Sequence, residues 1–372
     1  MKYYIIAGEA SGDLHGSNLI KAIFQEDPAA EIRCWGGDRM QEAGATLAKH
    51  YKEMSFMGFV EVLMHLPDIF KNLQFCKEDI VAFNPDALIF IDFSGFNLRI
   101  AQWAKTHHYH THYYISPQVW ASRAGRVRKI QRDIDHMYVI LPFEAAFYKG
   151  FGMKVEYVGH PLIDAMEGLQ PVDDLRFRTE NKLDSEKPII ALLPGSRKQE
   201  INRILKEMLT VVPHFPQYQF VIAGAPSLEF TQYAPYLQNS GVQLVAGKTY
   251  SLLQHSHAAL VTSGTATLET ALLRIPQVVC YKAGAISYLI ARMLITLKYI
   301  SLVNLIMDRE VVPELIQHDL NKKNIRVALG ALLEGPKREA QLHAYSILRE
   351  KLGGPGASLK AAQLIVNFSN PT

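Results

Sequence analysis

The sequence has few cysteines and no long apolar run, and each shortage excludes a class of protein. Its three cysteines, Cys34, Cys76 and Cys280, lie far apart and are odd in number. They form neither a disulfide framework nor a CxxC metal site, and they suit a reducing cytoplasm. No stretch approaches the roughly 18 uncharged apolar residues that span a bilayer, so we expect contact with a membrane from one side at most.

The amino terminus lacks the pattern of a secretory signal. Its apolar run ends in Gly8-Glu9 after about five residues, whereas a signal peptide needs about 7–15 apolar residues and a cleavage site. We therefore expect a cytoplasmic protein.

A large charge of one sign is also missing. The 372 residues include 39 Lys and Arg and 36 Asp and Glu, so the net charge of +3 gives no reason to expect a nucleic-acid partner. Hydrophobic residues make up 48% and charged residues 20%, which excludes disordered and collagen-like chains. At about 100–200 residues per domain, the length predicts two domains.

Short apolar runs alternate with helix-period segments, a pattern typical of parallel strands covered by helices on both faces. The alternation stops at residues 165–187, which carry many charges, and then resumes. We predict two doubly wound α/β domains, 1–164 and 188–340, a linker at 165–187, and C-terminal helices at 341–372 for which a return to the first domain is open. The predicted strands are Tyr3–Ala7, Ile32–Trp35, Ala87–Asp92, Thr111–Ile115, Met137–Ile140, Val155–Val158, Ile189–Leu193, Gln219–Ala223, Gln243–Val245, Ala259–Thr262 and Val278–Tyr281.

Ligands of open parallel sheets bind beyond the carboxyl ends of the strands, so the loops there are the candidate sites. The first such loop, Gly8-Glu9-Ala10-Ser11-Gly12-Asp13, opens a helix and lets backbone amides approach an anion. Its spacing is not the dinucleotide fingerprint, and the charge of Glu9 fits a sugar hydroxyl better than a pyrophosphate. The alternative is a tight turn with Asp13 as a helix cap.

Two further loops of the first half carry polar residues. Asp92 follows a buried strand, so its pKa is expected to rise toward the range of a general base; a loop-bracing aspartate is an equal alternative on spacing alone. The loop 116–120, Ser-Pro-Gln-Val-Trp, precedes the cations Arg126, Arg128, Lys129 and Arg132. These cations form a phosphate-binding face or, as we prefer, a solvated helix face.

The second half has two loops suited to a phosphate. After the strand 189–193, Gly195 permits close backbone approach and the guanidinium of Arg197 can fork onto a phosphate. After the strand 259–262, Ser263-Gly264-Thr265 opens a helix, so amides, hydroxyls and the positive dipole end point to one spot. Glu269 lies one turn further and fits a ribose diol. The alternative is an ordinary capped helix start.

The segment from Phe56 to Phe70 is apolar on more than one side of a helix. A core helix, a partner interface and a surface that takes up acyl chains or lies on a bilayer compete; by itself the pattern favours a core helix. No metal site is indicated. His108, His110 and His112 alternate, but no carboxylate or cysteine completes a ligand set, so a surface histidine cluster is preferred.

Together these loops resemble the lipid-A-disaccharide synthase family, inverting glycosyltransferases of the GT-B fold, in which two Rossmann-like doubly wound parallel sheets face each other across an interdomain cleft. The resemblance covers nearly the whole chain and rests on nine stretches in the same order. They are AGEASGD (7–13), MGFVEVL (57–63), DFSGFN (92–97), SPQVW (116–120), LPFE (141–144), VGHPL (158–162), LPGSR (193–197), SGTATLE (263–269) and SLVNL (301–305).

The resemblance implies a reaction. The enzyme would transfer 2,3-diacylglucosamine from UDP-2,3-diacylglucosamine to the 6-hydroxyl of 2,3-diacylglucosamine 1-phosphate. The products would be the β-1,6-linked lipid A disaccharide 1-phosphate and UDP, formed with inversion and without a cofactor or a metal. The expected location is the cytoplasmic face of the inner membrane, with peripheral attachment, and the oligomeric state is left open.

The resemblance also assigns residues. The catalytic residues would be Asp92, Arg197 and Asn304. The nucleotide-sugar-binding residues would be Gly195, Ser196, Arg197, Ser263, Gly264, Thr265 and Glu269. The acceptor-binding residues would be Gly8, Glu9, Ser11, Gly12, Asp13, Ser116 and Trp120. Segment 54–70 would contact acyl chains or the membrane through Phe59, Val60, Val62, Leu63, Leu66 and Ile69. This role reverses the preference for a core helix in that segment.

The chain departs from the family pattern at three places. The family usually has D-A-P-D-F-N where this chain has DFSGFN, so the loop after Asp92 lacks a proline and a second acid. Val303 replaces a proline, and Ser122 replaces a tryptophan. A UDP-GlcNAc 2-epimerase, an NAD-dependent oxidoreductase and a non-enzymatic nucleotide-binding module are the alternatives. The epimerase would not need an apolar surface. The oxidoreductase would need the dinucleotide fingerprint, which is missing, and the binding module would leave Asp92 unexplained.

Overall fold

The computed structural model describes residues 1–53, 66–122, 124–226, 228–238, 240–284, 288 and 297–369. The chain forms two compact units. Unit 1 consists of Met1–Glu167 and Leu352–Thr372, and unit 2 consists of Gly168–Lys351. The segment predicted as a linker, 165–187, contains the helix Asp174–Glu180, and its Phe177 is buried in the core of unit 2.

Among its described residues, unit 1 has a seven-stranded sheet in the order β3-β2-β1-β4-β5-β6-β7. All its strand pairs are parallel. The strand order reverses between β1 and β4, which makes this edge the topological switch point. The strands are β1 Lys2–Ala7, β2 Glu31–Gly36, β3 Thr46–His50, β4 Ala87–Ile91, β5 His110–Tyr114, β6 His136–Val139 and β7 Glu156–Tyr157.

The described part of unit 2 has a six-stranded parallel sheet in the order β10-β9-β8-β11-β12-β13. Its switch point lies between β8 and β11. The predicted α/β class with two Rossmann-like parallel sheets is confirmed. The strands are β8 Ile189–Leu193, β9 Gln219–Gly224, β10 Gln243–Ala246, β11 Ser256–Thr262, β12 Gln277–Tyr281 and β13 Glu314–Ile316.

Burial on both faces explains why the central strands were recognisable in the sequence. Every residue of β4 and β8 is buried, and each fully buried aliphatic side chain contributes about 1.5–3 kcal/mol. The sequence missed β3 and β13. Both are edge strands whose residues are mostly half-buried, so neither has a continuous apolar run.

Helices cover both sheets. In unit 1 they are Ala10–Glu26, Asp38–Glu42, Leu66–Phe83, Ser94–Thr106, Val119–Ser122, Val127–Asp133, Glu144–Lys149, Pro161–Glu167 and Ala357–Ser369. In unit 2 they are Asp174–Glu180, Lys198–Glu200, Lys206–Leu209, Ala234–Leu237, Thr249–Gln254, Thr265–Leu272, Leu302–Met307, Lys322–Leu333 and Pro336–Leu352, with a π-helical turn at Ile201–Leu205.

The last helix, Ala357–Ser369, returns to unit 1 and packs against the helix Ala10–Glu26. A carboxylate holds its start. The Oδ1 atom of Asp164 accepts the amide of Gly356 at 2.6 Å, and Oδ2 accepts the amide of Ser358 at 2.9 Å. Asp164 therefore satisfies two backbone donors that a helix start leaves without a partner inside the helix.

The alternating histidines do not form a surface cluster, so that preference is wrong for His112. This residue is buried, its Nδ1 lies 2.9 Å from the hydroxyl of Tyr138, and its Nε2 lies 3.2 Å from the hydroxyl of Ser369. His136 stacks on it with ring centroids 5.2 Å apart. His112 thus helps to dock the last helix onto the sheet.

We predict that Asp164→Ala lowers the free energy of unfolding by about 1–3 kcal/mol, because two backbone amides lose their charged acceptor. Urea unfolding and hydrogen exchange of residues 357–369 measure the effect, and exchange should accelerate most in that helix. Asp173→Ala, which removes an exposed cap on the amide of Arg176, is the control and should leave exchange in 357–369 unchanged. Unchanged exchange there in Asp164→Ala would contradict the capping role.

Candidate functional site

Two loops meet at the switch point of unit 1. Strands β1 and β4 are neighbours, with Ala7 opposite Ile91, so the residues that follow them, Gly8 and Asp92, lie side by side. The sheet thus brings together two loops that are more than 80 positions apart in the sequence. Ligands of such sheets bind at this edge.

Asp92 has the environment of a general base. Its side chain is half-buried, and its main chain is left-handed with φ +44°. Its pKa is raised to about 6, chiefly by burial and further by the nearby charge of Glu9. Such a carboxylate is mostly ionised at pH 7 and is still basic enough to take up a proton.

The glycine-rich loop after β1 divides into exposed and buried residues. Glu9 is half-buried and Ser11 is exposed, whereas Gly8 and Gly12 are buried. Asp13 is also buried, and its carboxylate accepts the amides of Gly37, Met40 and Arg39 at 2.8, 3.1 and 3.3 Å. Asp13 therefore caps the helix Asp38–Glu42, so the accessible polar side chains of this loop are those of Glu9 and Ser11.

Ser116 and Trp120 converge on a buried carboxylate. The Ser116 hydroxyl donates to Oε1 of Glu144 at 2.5 Å, and the Trp120 indole donates to the same oxygen at 3.1 Å. The other oxygen accepts the amides of Ile140 and Leu141. Burial raises the pKa of Glu144, and these donors oppose the rise. Glu144 thereby braces the loops after β5 and β6.

The sequence motifs included Glu144 only as part of the stretch LPFE (141–144), and they predicted no role for it. Its signal was a glutamate three residues after Leu141, shortly beyond the end of β6, at the spacing that lets a side chain turn back to backbone amides. Ser116 is buried by this arrangement, whereas Trp120 stays half-buried at the carboxyl edge of the sheet.

In unit 2, the loop after β8 holds a carboxylate of the chain itself, that of Glu200. The amide of Ser196 donates to Oε2 of Glu200 at 3.1 Å, and Nη1 of Arg197 lies 3.5 Å from Oε1. The carboxylate lies directly over Gly195, where a Cβ atom would approach Oε2 to 2.2 Å. These groups thus hold a carboxylate as they would hold a phosphate oxygen. The sequence pattern did not single out Glu200.

The loop after β11 lies beside it, because β8 and β11 are neighbours with Leu193 opposite Val261. Gly264 has φ +153° and ψ −162°, a conformation that glycine alone adopts readily. The helix that follows, Thr265–Leu272, has no side-chain cap at its N-terminus. Its first amides therefore add to the positive potential of this edge.

Glu269 is held in place by a tyrosine. The Tyr250 hydroxyl donates to its Oε1 atom at 3.0 Å, and burial raises the pKa of the carboxyl. Its side chain remains half-buried. A partly desolvated carboxylate gains from further hydroxyl donors, so Glu269 fits a sugar diol.

Asn304 is fully buried and braces a loop. Its Nδ2 donates to the Val312 carbonyl and to Oε1 of Glu314 at 2.8 and 2.9 Å, and its Oδ1 accepts the amides of Val311 and Val312. All four hydrogen-bonding positions of the amide are thus used. No hydrogen-bonding position of the amide is left for a ligand. Ser263 donates to the Ile300 carbonyl at 2.9 Å within the same braced region.

The expected acyl-contact segment, 54–70, lies mostly outside the described residues, including Phe59, Val60, Val62 and Leu63. The helix Leu66–Phe83 follows it. There Ile69 packs half-buried against the core of unit 1, whereas Phe70 is 65% exposed. Within the described ranges, no helix combines the length and the apolar character needed to cross a bilayer.

Comparison with known proteins gives one consistent family. The family described as "Lipid-A-disaccharide synthetase" matches residues 3–368. A protein of Syntrophus aciditrophicus named lipid-A-disaccharide synthase is 41% identical over 98% of this chain and 97% of its own length. One of Geobacter metallireducens with the same name is 39% identical over 98% and 96%.

Solved structures share the fold at low sequence identity. The glycotransferase of kitacinnamycin superposes with a TM-score of 0.67 at 12% identity, covering 100% of this chain and 99% of that one. A UDP-GlcNAc 2-epimerase from Neisseria meningitidis, bound to UDP-GlcNAc, gives 0.64 at 14% identity with 99% of both chains covered.

We predict that Glu9→Gln lowers the pKa of Asp92 from about 6 toward, but not to, the ordinary 3.8. Loss of the Glu9 charge stabilises the ionised form, while burial, the larger cause, remains. Carbon-13 NMR titration of labelled aspartate carboxyls measures this pKa, with Asp92→Asn to assign the signal.

Glu31→Gln is the matched control for this titration. Glu31 begins β2 at the opposite, amino edge of the same sheet, so its substitution should leave the pKa of Asp92 unchanged. Equal values in Glu9→Gln and in the unsubstituted chain would contradict the coupling between Glu9 and Asp92.

Proposed function

The chain belongs to the lipid-A-disaccharide synthase family, and we propose that it joins two acylated glucosamines. It is a glycosyltransferase. In the proposed reaction, 2,3-diacylglucosamine passes from UDP-2,3-diacylglucosamine to the 6-hydroxyl of 2,3-diacylglucosamine 1-phosphate. The observation that carries the chemistry is the position of Asp92 beyond the carboxyl end of β4, at the switch point of unit 1 and beside the loop of Gly8.

Asp92 is proposed as the general base. Its carboxylate removes the proton from the acceptor 6-hydroxyl while the oxygen attacks the anomeric carbon of the donor. The bond between that carbon and the diphosphate oxygen breaks on the opposite face, so an α donor yields a β product through an oxocarbenium-like transition state. A pKa near 6 keeps the base ionised at neutral pH.

The departing diphosphate needs fixed positive groups. The Ser196 amide and the Arg197 guanidinium already hold a carboxylate, that of Glu200, and the uncapped start of the helix Thr265–Leu272 lies on the neighbouring strand end. A bound diphosphate would take the place of that carboxylate. Fixed donors of this kind stabilise developing charge without reorganisation, so we propose that the reaction needs no metal.

The remaining residues divide into contacts and supports. Glu269 is proposed to bind the ribose hydroxyls of UDP, and Glu9, Ser11 and Trp120 to contact the acceptor sugar. Asp13, Ser116 and Asn304, which sequence analysis placed in direct contact with substrate, are proposed instead to position the loops, because their polar atoms bind protein groups. Val303, where the family pattern has proline, is buried in the helix beside Asn304.

We propose that segment 54–70 binds the membrane and that the chain acts at the cytoplasmic face of the inner membrane. Each substrate carries acyl chains, and burial of a CH₂ group contributes about 0.8 kcal/mol. Exposed Phe70 at the start of the helix Leu66–Phe83 continues the apolar stretch, which supports the proposal.

We predict that the purified chain, given both acylated substrates, produces the disaccharide 1-phosphate, detected by mass spectrometry, also after treatment with a chelator. Conversion of UDP-GlcNAc to its 2-epimer without an acceptor would favour the epimerase alternative instead. A strict magnesium requirement would contradict the charge-stabilisation proposal.

Asp92→Asn should lower kcat by at least about a hundredfold, because an amide of the same shape accepts no proton and a general base contributes about 10²–10⁴-fold. KM for the donor should change little, since Asp92 lies in unit 1 and the proposed nucleotide groups lie in unit 2. Asp86→Asn, an exposed site before β4, is the control. Near-normal turnover by Asp92→Asn would exclude the base assignment.

Serine substitution of Val60, Val62 and Leu63 should reduce sedimentation with vesicles of phosphatidylethanolamine and phosphatidylglycerol, because apolar burial in the bilayer is lost. Serine at Phe230 and Val327, which are 63% and 61% exposed in unit 2, is the control. Unchanged partitioning of the first variant would mean that the segment does not bind the membrane.

A further inference from the structure

The loop that carries Asp92 has an unusual backbone. Asp92 and Phe93 are consecutive residues in the left-handed region, with φ of +44° and +45°. Aspartate enters this region more readily than most residues, but a bulky aromatic residue there is an outlier. Such a conformation persists only when its surroundings determine it, so the contacts of both residues indicate what holds the loop.

Two side chains donate hydrogen bonds to the main-chain carbonyl of Asp92. The side-chain amide of Asn97, which is fully buried, donates to the Asp92 carbonyl at 2.9 Å and lies 3.3 Å from the carbonyls of Ile91 and Ile6. The Tyr113 hydroxyl donates to the same Asp92 carbonyl. The ends of β1 and β4 are therefore tied together at the base.

The Phe93 ring provides the second support. It lies over Gly8, where a Cβ atom would come within 2.3–2.5 Å of three ring carbons. It also stacks on Phe96, with centroids 5.5 Å apart and planes at 26°. The ring thus fills the space that Gly8 leaves, and it couples the loop after β4 to the loop after β1.

Ser94 permits this arrangement. It is the first residue of the helix Ser94–Thr106, at the position where the family pattern D-A-P-D-F-N has proline. Proline suits the first position of a helix, but it drives the preceding residue toward extended conformations. A proline at 94 would therefore oppose the left-handed φ of Phe93 and move its ring away from Gly8.

We propose that Phe93 is a positioning residue that replaces, in this chain, the stiffening that proline supplies in the family pattern, and that it does so by packing its ring against Gly8 and Phe96. The inference rests on the proposed function, because it treats Asp92 as the base. It predicts that the family residue at position 94 is harmful in this chain.

The test compares Ser94→Pro with Ser94→Ala, which keeps the helix start and leaves Phe93 unrestricted. Ser94→Pro should lower kcat about tenfold to a hundredfold, the scale of a small misplacement of a catalytic group, with donor KM within about twofold. Ser94→Ala should stay within about twofold of the unsubstituted chain. The double variant Phe93→Ala, Ser94→Pro should recover activity relative to Ser94→Pro, because it restores the alanine–proline pair of the family pattern, in which proline rather than a ring stiffens the loop.

Phe93→Gly is a second variant, and it should still fold because glycine adopts positive φ freely. It removes the ring and should lower kcat as Ser94→Pro does. In both variants, NMR titration should show a lower pKa of Asp92 than the value of about 6, because a displaced carboxylate is better solvated. Thermal unfolding accompanies each measurement.

The outcomes separate the two proposals. Equal kcat and equal Asp92 pKa in Ser94→Pro and Ser94→Ala would overturn the positioning role, and so would a loss of thermal stability with no change in that pKa. If the unsubstituted chain formed no disaccharide, the proposed function would fail. The NMR comparison would still decide whether Phe93 positions Asp92.

Discussion

The local structure around the proposed base depends on one constraint, the left-handed main chain at Asp92. Strand β4 delivers this residue to the carboxyl edge of the sheet, and the Asn97 amide ties its carbonyl to the neighbouring strand end. Because the main chain cannot relax into the ordinary extended region, the carboxylate stays half-buried near the charge of Glu9. Its basicity therefore follows from backbone geometry as much as from its own chemistry.

Carboxylates that are buried or half-buried brace the loops of both units. Asp13, Asp164, Glu144 and Glu314 each accept two or more backbone amides. An ionised acceptor makes hydrogen bonds about twice as strong as a neutral one, and these bonds offset the cost of burying the charge. Glu200 differs, because it holds groups proposed to bind diphosphate, so a ligand can displace it.

The sequence predicted the central strands and the loops at their ends correctly, because buried parallel strands have a continuous apolar pattern. It selected Asp92, Arg197 and Glu269 as candidates from their positions after strands, and their roles stay predictions. It did not show that the polar atoms of Asp13, Ser116 and Asn304 bind protein groups. These polar residues lie in loops and near helix starts, and spacing along the chain does not show whether their partners are backbone amides far away in the sequence.

The sequence by itself determined the α/β class, the two parallel sheets and the family, because hydrophobic period and motif order are local properties of the chain. Only the tertiary structure decided which polar side chains are accessible. It also decided that Phe93 packs against Gly8 in a loop without proline. That contact joins residues 85 positions apart through neighbouring strands, and its strain depends on φ, which side-chain identity alone does not specify.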